Sequence, residues 1–247
     1  MDHDAITKVI TNNGAVPYGV GVTPNPYSER QPEWVRRHEQ AAVIKLITDK
    51  IKSLFEPRFI TPPETSETIE AISTLTDSRR ILELGTCTGF SALHILRSIV
   101  GKPGARLTCM ECRPAHDRAF FAQPEIAPYF EFIEMQTPGG LTTLTNRVFD
   151  MVFVDSDHSP EHCEKELTAL WPITRVGTVI LFHDCPEYQT PQNKDRCQIW
   201  TWLQQKVNQG VLRGTCFPSC KQMDCAIMWG EDYPTNCSPG LGIFIRC

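Results

Sequence analysis

The sequence predicts an α/β domain built around a parallel sheet. Three observations carry that prediction: short apolar runs alternate with helical patterns from about Arg80 to Asp184, several runs are apolar at consecutive positions, and a glycine turn follows the first run. The runs are Ile81 to Leu84, Leu107 to Met110, Phe130 to Met135, Met151 to Val154 and Val179 to Phe182. Met151-Val152-Phe153-Val154 shows no polar alternation, as expected of a strand covered by helices on both faces. Two further runs, Cys225 to Trp229 and Leu241 to Ile245, read as the last two strands.

The first 57 residues break that rhythm. Asn12-Asn13-Gly14, Pro17, Gly19, Gly21, Pro24 and Pro26 make a turn-rich loop, and Trp34, Ala41, Ile44, Ile51 and Phe55 follow at the spacing of an amphipathic helix. Residues 1–57 are expected to form this loop and helix as a lid for substrate recognition, and residues 58–247 the main domain. Thr61-Pro62-Pro63-Glu64 supplies an N-cap, a proline at the first helical position and a glutamate three after the cap, with Ile69 and Ile72 behind it. Ser159-Pro160 opens a second helix with Cys163, Leu167 and Leu170 on one face, and Pro172 and Gly177 turn the chain into the fifth strand. A third helix carries Ile199, Trp202 and Leu203.

Composition narrows the function. Across 247 residues, 24 basic side chains face 29 acidic ones, a net charge of −5 with no block of like charge, which argues against a nucleic-acid partner. The opening MDHDAITKVI has neither a basic nor an apolar signal region, and no apolar run approaches the roughly 18 residues that span a bilayer. The chain is expected to be cytoplasmic and free of the membrane. Eleven cysteines without a signal peptide then read as thiols in a reducing compartment. Cys109-x-x-Cys112 and the trio Cys216, Cys220 and Cys225 have zinc-like spacing, but Cys109 falls in a buried strand, so zinc is a minor reading.

Glu83-Leu84-Gly85-Thr86-Cys87-Thr88-Gly89 stands where the first strand gives way to a helix. Glycines there allow a tight turn and close approach of a ligand to the backbone. Glu111 ends the second strand 26 residues after Gly85, where a carboxylate can accept both ribose hydroxyls. A phosphate cradle fits poorly, since Gly101-Lys102 runs into Pro103 and Cys87 occupies the place of a second glycine.

These residues, with Phe90-Ser91, Phe149-Asp150-Met151-Val152-Phe153-Val154-Asp155-Ser156-Asp157-His158, Gly177 to Asp184 and Gly240-Leu241-Gly242-Ile243, resemble the class I S-adenosylmethionine-dependent methyltransferases. The similarity is to the branch of small-molecule, catechol-type, metal-dependent O-methyltransferases and covers about residues 60–247. It implies a Rossmann-like, doubly wound, seven-stranded and mostly parallel sheet with an antiparallel last strand. It also implies that Gly85, Thr86, Cys87, Gly89 and Ser91 hold the methionine part of S-adenosylmethionine, with Glu83 beneath it. Glu111 then binds the ribose, Gln136 and Thr137 line the adenine, and Asp155 borders the cofactor.

Asp155, Asp157 and His158 follow the fourth strand, and His183 and Asp184 the fifth, so all five are expected to converge on one crevice. By the resemblance, Asp155 and Asp184 match positions that hold Mg2+ or another divalent metal, which would activate an acceptor hydroxyl. Cys185 stands where an asparagine ligand is common; His183 is the replacement, and imidazole favours zinc, manganese or iron. The competing mechanism makes His158 the general base, so the catalytic candidates are His158, Asp155 and Asp184. Tyr188, Trp200 and Trp202 are candidates for an aromatic acceptor wall, whereas His38, His94, His116 and His162 read as ordinary helix or loop residues.

The expected function is methyl transfer to a hydroxyl of a small molecule, with a homodimer left open. The alternatives are N- or S-methylation of a small molecule, an NAD-dependent oxidoreductase, and a non-catalytic cofactor-binding module. No tyrosine has lysine four residues on, which removes the short-chain dehydrogenase pattern.

Overall fold

A computed structural model describes residues 33–54, 61, 63–185, 197–217 and 240–247. The backbone divides into two compact units, Met1–Arg36 and Arg37–Cys247, and the second carries the sheet.

The described strands are β1 (Arg80–Leu84), β2 (Arg106–Met110), β3 (Phe130–Ile133), β4 (Met151–Val154), β5 (Val179–His183), β6 (Leu212–Phe217) and β7 (Leu241–Arg246). They form one sheet in the order β3-β2-β1-β4-β5-β7-β6. β1 pairs in parallel with β2 and β4, and β4 with β5, whereas β7 runs antiparallel to both β5 and β6. This is the Rossmann-like sheet the sequence predicts. The chain reverses its strand order between β1 and β4, the place where open parallel sheets form a crevice at their carboxyl ends.

Alternate side chains of each strand enter two cores. Ile81, Leu107, Cys109, Met151, Phe153 and Leu181 face one layer, which contains α1 (Glu33–Ser53), α2 (Pro63–Leu75) and α3 (Phe90–Ile99). Leu82, Leu84, Met110, Val152, Val154, Ile180 and Phe182 face the other, covered by α5 (Pro160–Leu170) and α6 (Cys197–Asn208); a short α4 (Arg118–Phe121) follows β2. Burial on both faces accounts for the unbroken apolar runs. Helix α5 starts where the sequence places it, with Ser159 accepting from the His162 N–H and Pro160 in the first turn.

Two salient contacts fix the ends of strands. Asp150 Oδ2 accepts from the backbone N–H groups of Arg79 and Arg80 at 3.2 and 3.1 Å, tying the starts of β4 and β1 together. Arg246 donates to the Trp171 carbonyl at 2.6 Å and to Thr174 Oγ1 at 2.8 Å, while its guanidinium lies 3.8 Å from the Trp171 ring centroid.

Several expectations need correction. The sixth strand is Leu212–Phe217; the run Cys225 to Trp229 lies outside the described residues. Leu212-Arg-Gly-Thr-Cys-Phe217 was missed because an edge strand with an exposed centre carries only two buried side chains. β3 ends at Ile133 rather than Met135. In α1, among the side chains described, Ala41 and Ile44 are exposed and Ile47 and Ile51 are buried, with Val43 and Leu46 packed against the core; Phe55 and the loop through residue 32 are outside the described residues.

Phe244 is fully buried, with its ring 6.2 Å from that of Phe182. Phe244→Ala is expected to lower unfolding stability by about 3–5 kcal/mol, read by urea denaturation.

Candidate functional site

The site begins at the carboxyl end of β1. Gly85 has φ +88°, and a Cβ added there would lie 2.1 Å from the carbonyl oxygen of Asp155. Only a residue without a side chain lets the turn after β1 press against the end of β4, where the Asp155 N–H donates to the Leu84 carbonyl at 2.8 Å. Gly89, at φ +83°, caps α3 and abuts Phe121, and Cys87 between them also adopts the left-handed region at φ 45°.

Glu83 is completely buried beneath this turn. Ser91 Oγ donates to its Oε1 at 2.5 Å and Cys109 Sγ to its Oε2 at 3.0 Å. Burial dominates and, reinforced by the Asp155 charge, pushes the carboxyl up to about 7 against those hydrogen bonds. Ser91 is buried and turned into this network. Glu111, at the mouth of the turn, accepts from the N–H groups of Arg113 at 2.7 Å and Cys87 at 3.3 Å.

A cleft of about 300 Å³ opens beside the turn, at the low end of the range for small-molecule sites. Gly85, Glu111, Gln136, Thr137 and Asp155 line it, five of the ten residues expected to contact a cofactor; Glu83, Thr86, Cys87, Gly89 and Ser91 are not among its lining residues. The lining also includes Met110, Met135 and Ser156, which sequence reasoning did not assign to a site, and His162, which it read as an ordinary helix or loop residue. His162 lies in the first turn of α5, and nothing in the local pattern separates it from a solvent-facing helix residue.

Asp155 lines the cleft and also belongs to a second group of side chains. Its Oδ1 lies 2.8 Å from His183 Nδ1 and 3.3 Å from His158 Nε2, and Thr61 Oγ1 donates to its Oδ2 at 3.3 Å. His158 Nδ1 lies 3.5 Å from Asp184 Oδ2, and His183 Nδ1 3.7 Å from Asp184 Oδ1. Burial works against the Asp155 charge, but His183 and His158 outweigh it and hold the carboxyl below the ordinary aspartate range. Burial likewise opposes a charged His158, and the Asp155 hydrogen bond together with Asp184 overcomes it and raises the imidazole. Four of the five expected side chains therefore meet. Asp157 instead accepts from the Ser159 N–H at 2.8 Å, on the cleft wall.

Asp155, His158 and His183 each offer a ligand atom within 4.8 Å of the others. Two imidazoles and a carboxylate form a donor set suited to zinc, manganese or iron(II) more than to magnesium. This group shares Asp155 and His183 with the expected set of Asp155, Asp184 and His183 and adds His158, while Asp184 lies beside both histidines. Cys185 is fully buried, its thiol turned to the carbonyls of Phe182 and His183, away from the donors.

Trp202 is not part of an acceptor wall. It packs in the core 5.7 Å from Phe182 and donates to Glu164 Oε2 at 2.6 Å, while Trp200 packs against the same core and Tyr188 lies outside the described residues. His94 pairs with Glu70 at 2.9 Å and His116 packs among Phe121, Phe130 and Phe132, both in supporting roles. Cys109 faces Glu83 and Cys112 is exposed, so the zinc-like spacing does not bring that pair together; Cys220 and Cys225 lie outside the described residues.

Comparison with known proteins agrees with this architecture. Residues 82–185 match a family model described as a methyltransferase domain. A catechol O-methyltransferase of Niastella koreensis is 28% identical over 142 residues, covering 54% of this chain and 62% of the relative. One from Mycobacterium tuberculosis is 28% identical over 104 residues, covering 41% and 46%. The aligned segments thus span less than two thirds of those relatives. Among solved structures, an O-methyltransferase from Bacillus cereus in complex with SAH superposes with a TM-score of 0.61 at 17% identity, over 87% of this chain and 97% of that one. The O-methyltransferase TomG from Streptomyces achromogenes, in complex with SAM, gives 0.57 at 18% identity, over 88% and 91%. At such identities the likeness establishes the fold.

Two outcomes are expected here. Gly85→Ala should separate the ends of β1 and β4 and cost several kcal/mol, read by thermal or urea unfolding. Because the folded Glu83 carboxyl binds its proton more tightly than an unfolded one, its contribution to stability falls as pH rises from about 4.5 to about 7. The parent should therefore lose about 2–3 kcal/mol relative to Glu83→Gln between pH 5 and pH 8 in paired urea titrations.

Proposed function

We propose that this chain, whose residues 82–185 form a class I S-adenosylmethionine-dependent methyltransferase domain, transfers the cofactor's methyl group to a hydroxyl of a small molecule. The observation that carries the proposal is the sharing of Asp155: one residue borders the nucleotide-type cleft and anchors the His158, His183 and Asp184 cluster. A ligand reaching from Glu111 past Gly85 ends beside acid-base groups, the arrangement a transfer reaction requires. The catechol O-methyltransferase relatives support a phenolic acceptor as the first class to test.

The acceptor oxygen attacks the sulfonium methyl carbon in line, the new C–O bond forms as the C–S bond breaks, and S-adenosylhomocysteine leaves. Positioning supplies much of the rate. The acceptor proton must also go somewhere, and two readings use the cluster differently. In the first, Asp155, His158 and His183 would hold a divalent ion, which would supply Lewis-acid activation of the acceptor hydroxyl, the proton passing to solvent. Asp184 then steadies His158 through Nδ1. In the second, once the acceptor hydroxyl replaces one of the carboxylates at a His158 nitrogen, His158 takes the proton itself and Asp155 and Asp184 stabilise the imidazolium. Gly85, Thr86, Cys87, Gly89 and Ser91 would shape the methionine end, Glu83 would support them from below, and Gln136 and Thr137 would flank the base.

The acidic composition and the polar crevice support a small acceptor without nucleic acid, and among the described residues no helix is long and apolar enough to cross a membrane. We place the activity in the cytoplasm and leave a homodimer to measurement.

Calorimetric titration should detect S-adenosylhomocysteine and not NAD; the reverse result would replace the transferase by an oxidoreductase, and binding of neither would leave a cofactor-free module. Glu111→Ala should weaken S-adenosylhomocysteine tenfold or more. Asp184→Ala should remove most turnover on a phenolic acceptor while leaving cofactor affinity within a few-fold. Chelation by EDTA separates the two proton routes: loss of turnover, restored by manganese better than by magnesium, supports the first, and indifference to EDTA supports His158 as the base.

A further inference from the structure

The least explained lining residue is His162, and its surroundings fix its chemistry. Glu166 is fully buried on the next turn of α5, and a single oxygen, Oε1, gathers three groups. Ser156 Oγ donates to it at 2.6 Å, Thr137 Oγ1 donates to it in a short hydrogen bond, and His162 Nε2 lies 3.1 Å away. His162 Nε2 is also 3.1 Å from Thr137 Oγ1, whose proton is already directed at Glu166. Facing two acceptors, Nε2 must carry the ring proton, and in the neutral imidazole Nδ1 is then an acceptor. Nδ1 has no partner among the described residues and is not among their buried unsatisfied atoms, while the His162 side chain is 18% exposed and lines the cleft.

The cleft around it has the character of a slot for a flat heterocycle. Met110 and Met135 supply thioethers, which pack well on aromatic faces. Gly140 brings the 139–144 turn so close that a Cβ there would lie 2.7 Å from Met110 Sδ and 2.8 Å from Met135 Cβ. Gln136, Thr137 and His162 supply polar groups, and Glu111, on the same cleft, accepts from the Cys87 N–H of the glycine turn. A nucleoside whose ribose meets Glu111 therefore places its base here.

We propose that His162, with its tautomer set by Glu166, is a specificity-determining residue that accepts a hydrogen bond at Nδ1 from the exocyclic amino group of the purine, selecting a 6-aminopurine over a 6-oxopurine. This rests on the methyltransferase reading only for the identity of the nucleoside. A 6-oxopurine would present an oxygen to Nδ1, acceptor against acceptor, leaving both without a donor.

The test compares binding of S-adenosylhomocysteine and its 6-oxo analogue, S-inosylhomocysteine, by calorimetry on the full chain. The parent should favour the amino compound by about tenfold or more. In His162→Ala that ratio should fall to within about twofold of unity, chiefly through weaker binding of the amino compound. His162→Asn, which keeps an acceptor near the Nδ1 position, should retain part of the preference and serves in place of His162→Ala if the latter does not melt cooperatively. Loss of the Glu166 contact alone would weaken both ligands alike and leave the ratio unchanged. A parent without preference, or a ratio preserved in His162→Ala or increased in His162→Asn, overturns the inference while the transferase stands. Failure of the parent to bind either nucleoside overturns the transferase reading and the His162 assignment with it.

Discussion

The contact on which the site depends is between two stretches of backbone, the turn at Gly85 and the carbonyl of Asp155. A Cβ at Gly85 would lie 2.1 Å from the Asp155 oxygen, so the ends of β1 and β4 come together only because that side chain is missing. Everything on the β1 side of the crevice, the Glu83 floor and the Glu111 rim, is thereby held at a fixed distance from everything on the β4 side. The cofactor cleft and the histidine cluster are not two sites brought together by chance packing. They are the two flanks of one close approach, at the point where the strand order reverses.

Around this contact the buried carboxylates are handled in three distinct ways. Glu83 is surrounded by weak donors and poor solvation, and its proton affinity rises to about 7. Asp155 is partly exposed and lies between two imidazoles, and its carboxyl moves the opposite way. Glu166 has neither imidazolium cluster nor solvent, and instead concentrates two hydroxyls and a ring nitrogen on one oxygen. Three acids around one crevice thus differ in chemistry because their neighbours differ, the logic by which one fold assigns separate tasks to the same functional group.

The central architecture was legible in the sequence because burial on both faces leaves unbroken apolar runs. Met151 to Val154 and Val179 to Phe182 could hardly be anything else, and the glycine turn followed from its place after β1. Asp155, His158, His183 and Asp184 were legible as a group because strand ends of a parallel sheet share one crevice. What was hidden depended on side-chain direction. Leu212–Phe217 has too few buried positions to show a period, Trp202 faces the core rather than an acceptor, and Ser91 points down to Glu83. His162 was unreadable because its role is set by Thr137, 25 residues earlier, and by a glutamate whose burial no local pattern reveals.

The placement of β7 bears on how the molecule is made. Although it follows β6 in the chain, β7 lies between β5 and β6, and among the described residues β6 pairs with no other strand. During vectorial synthesis the crevice residues on β1, β4 and β5 emerge early, but β5 presents an open apolar edge until Leu241–Arg246 slots in and Arg246 closes on Trp171. The nascent chain therefore passes through a stage with most of its reactive groups translated and its sheet still unsealed, when chaperone capture or mispairing at the β5 edge competes with completion.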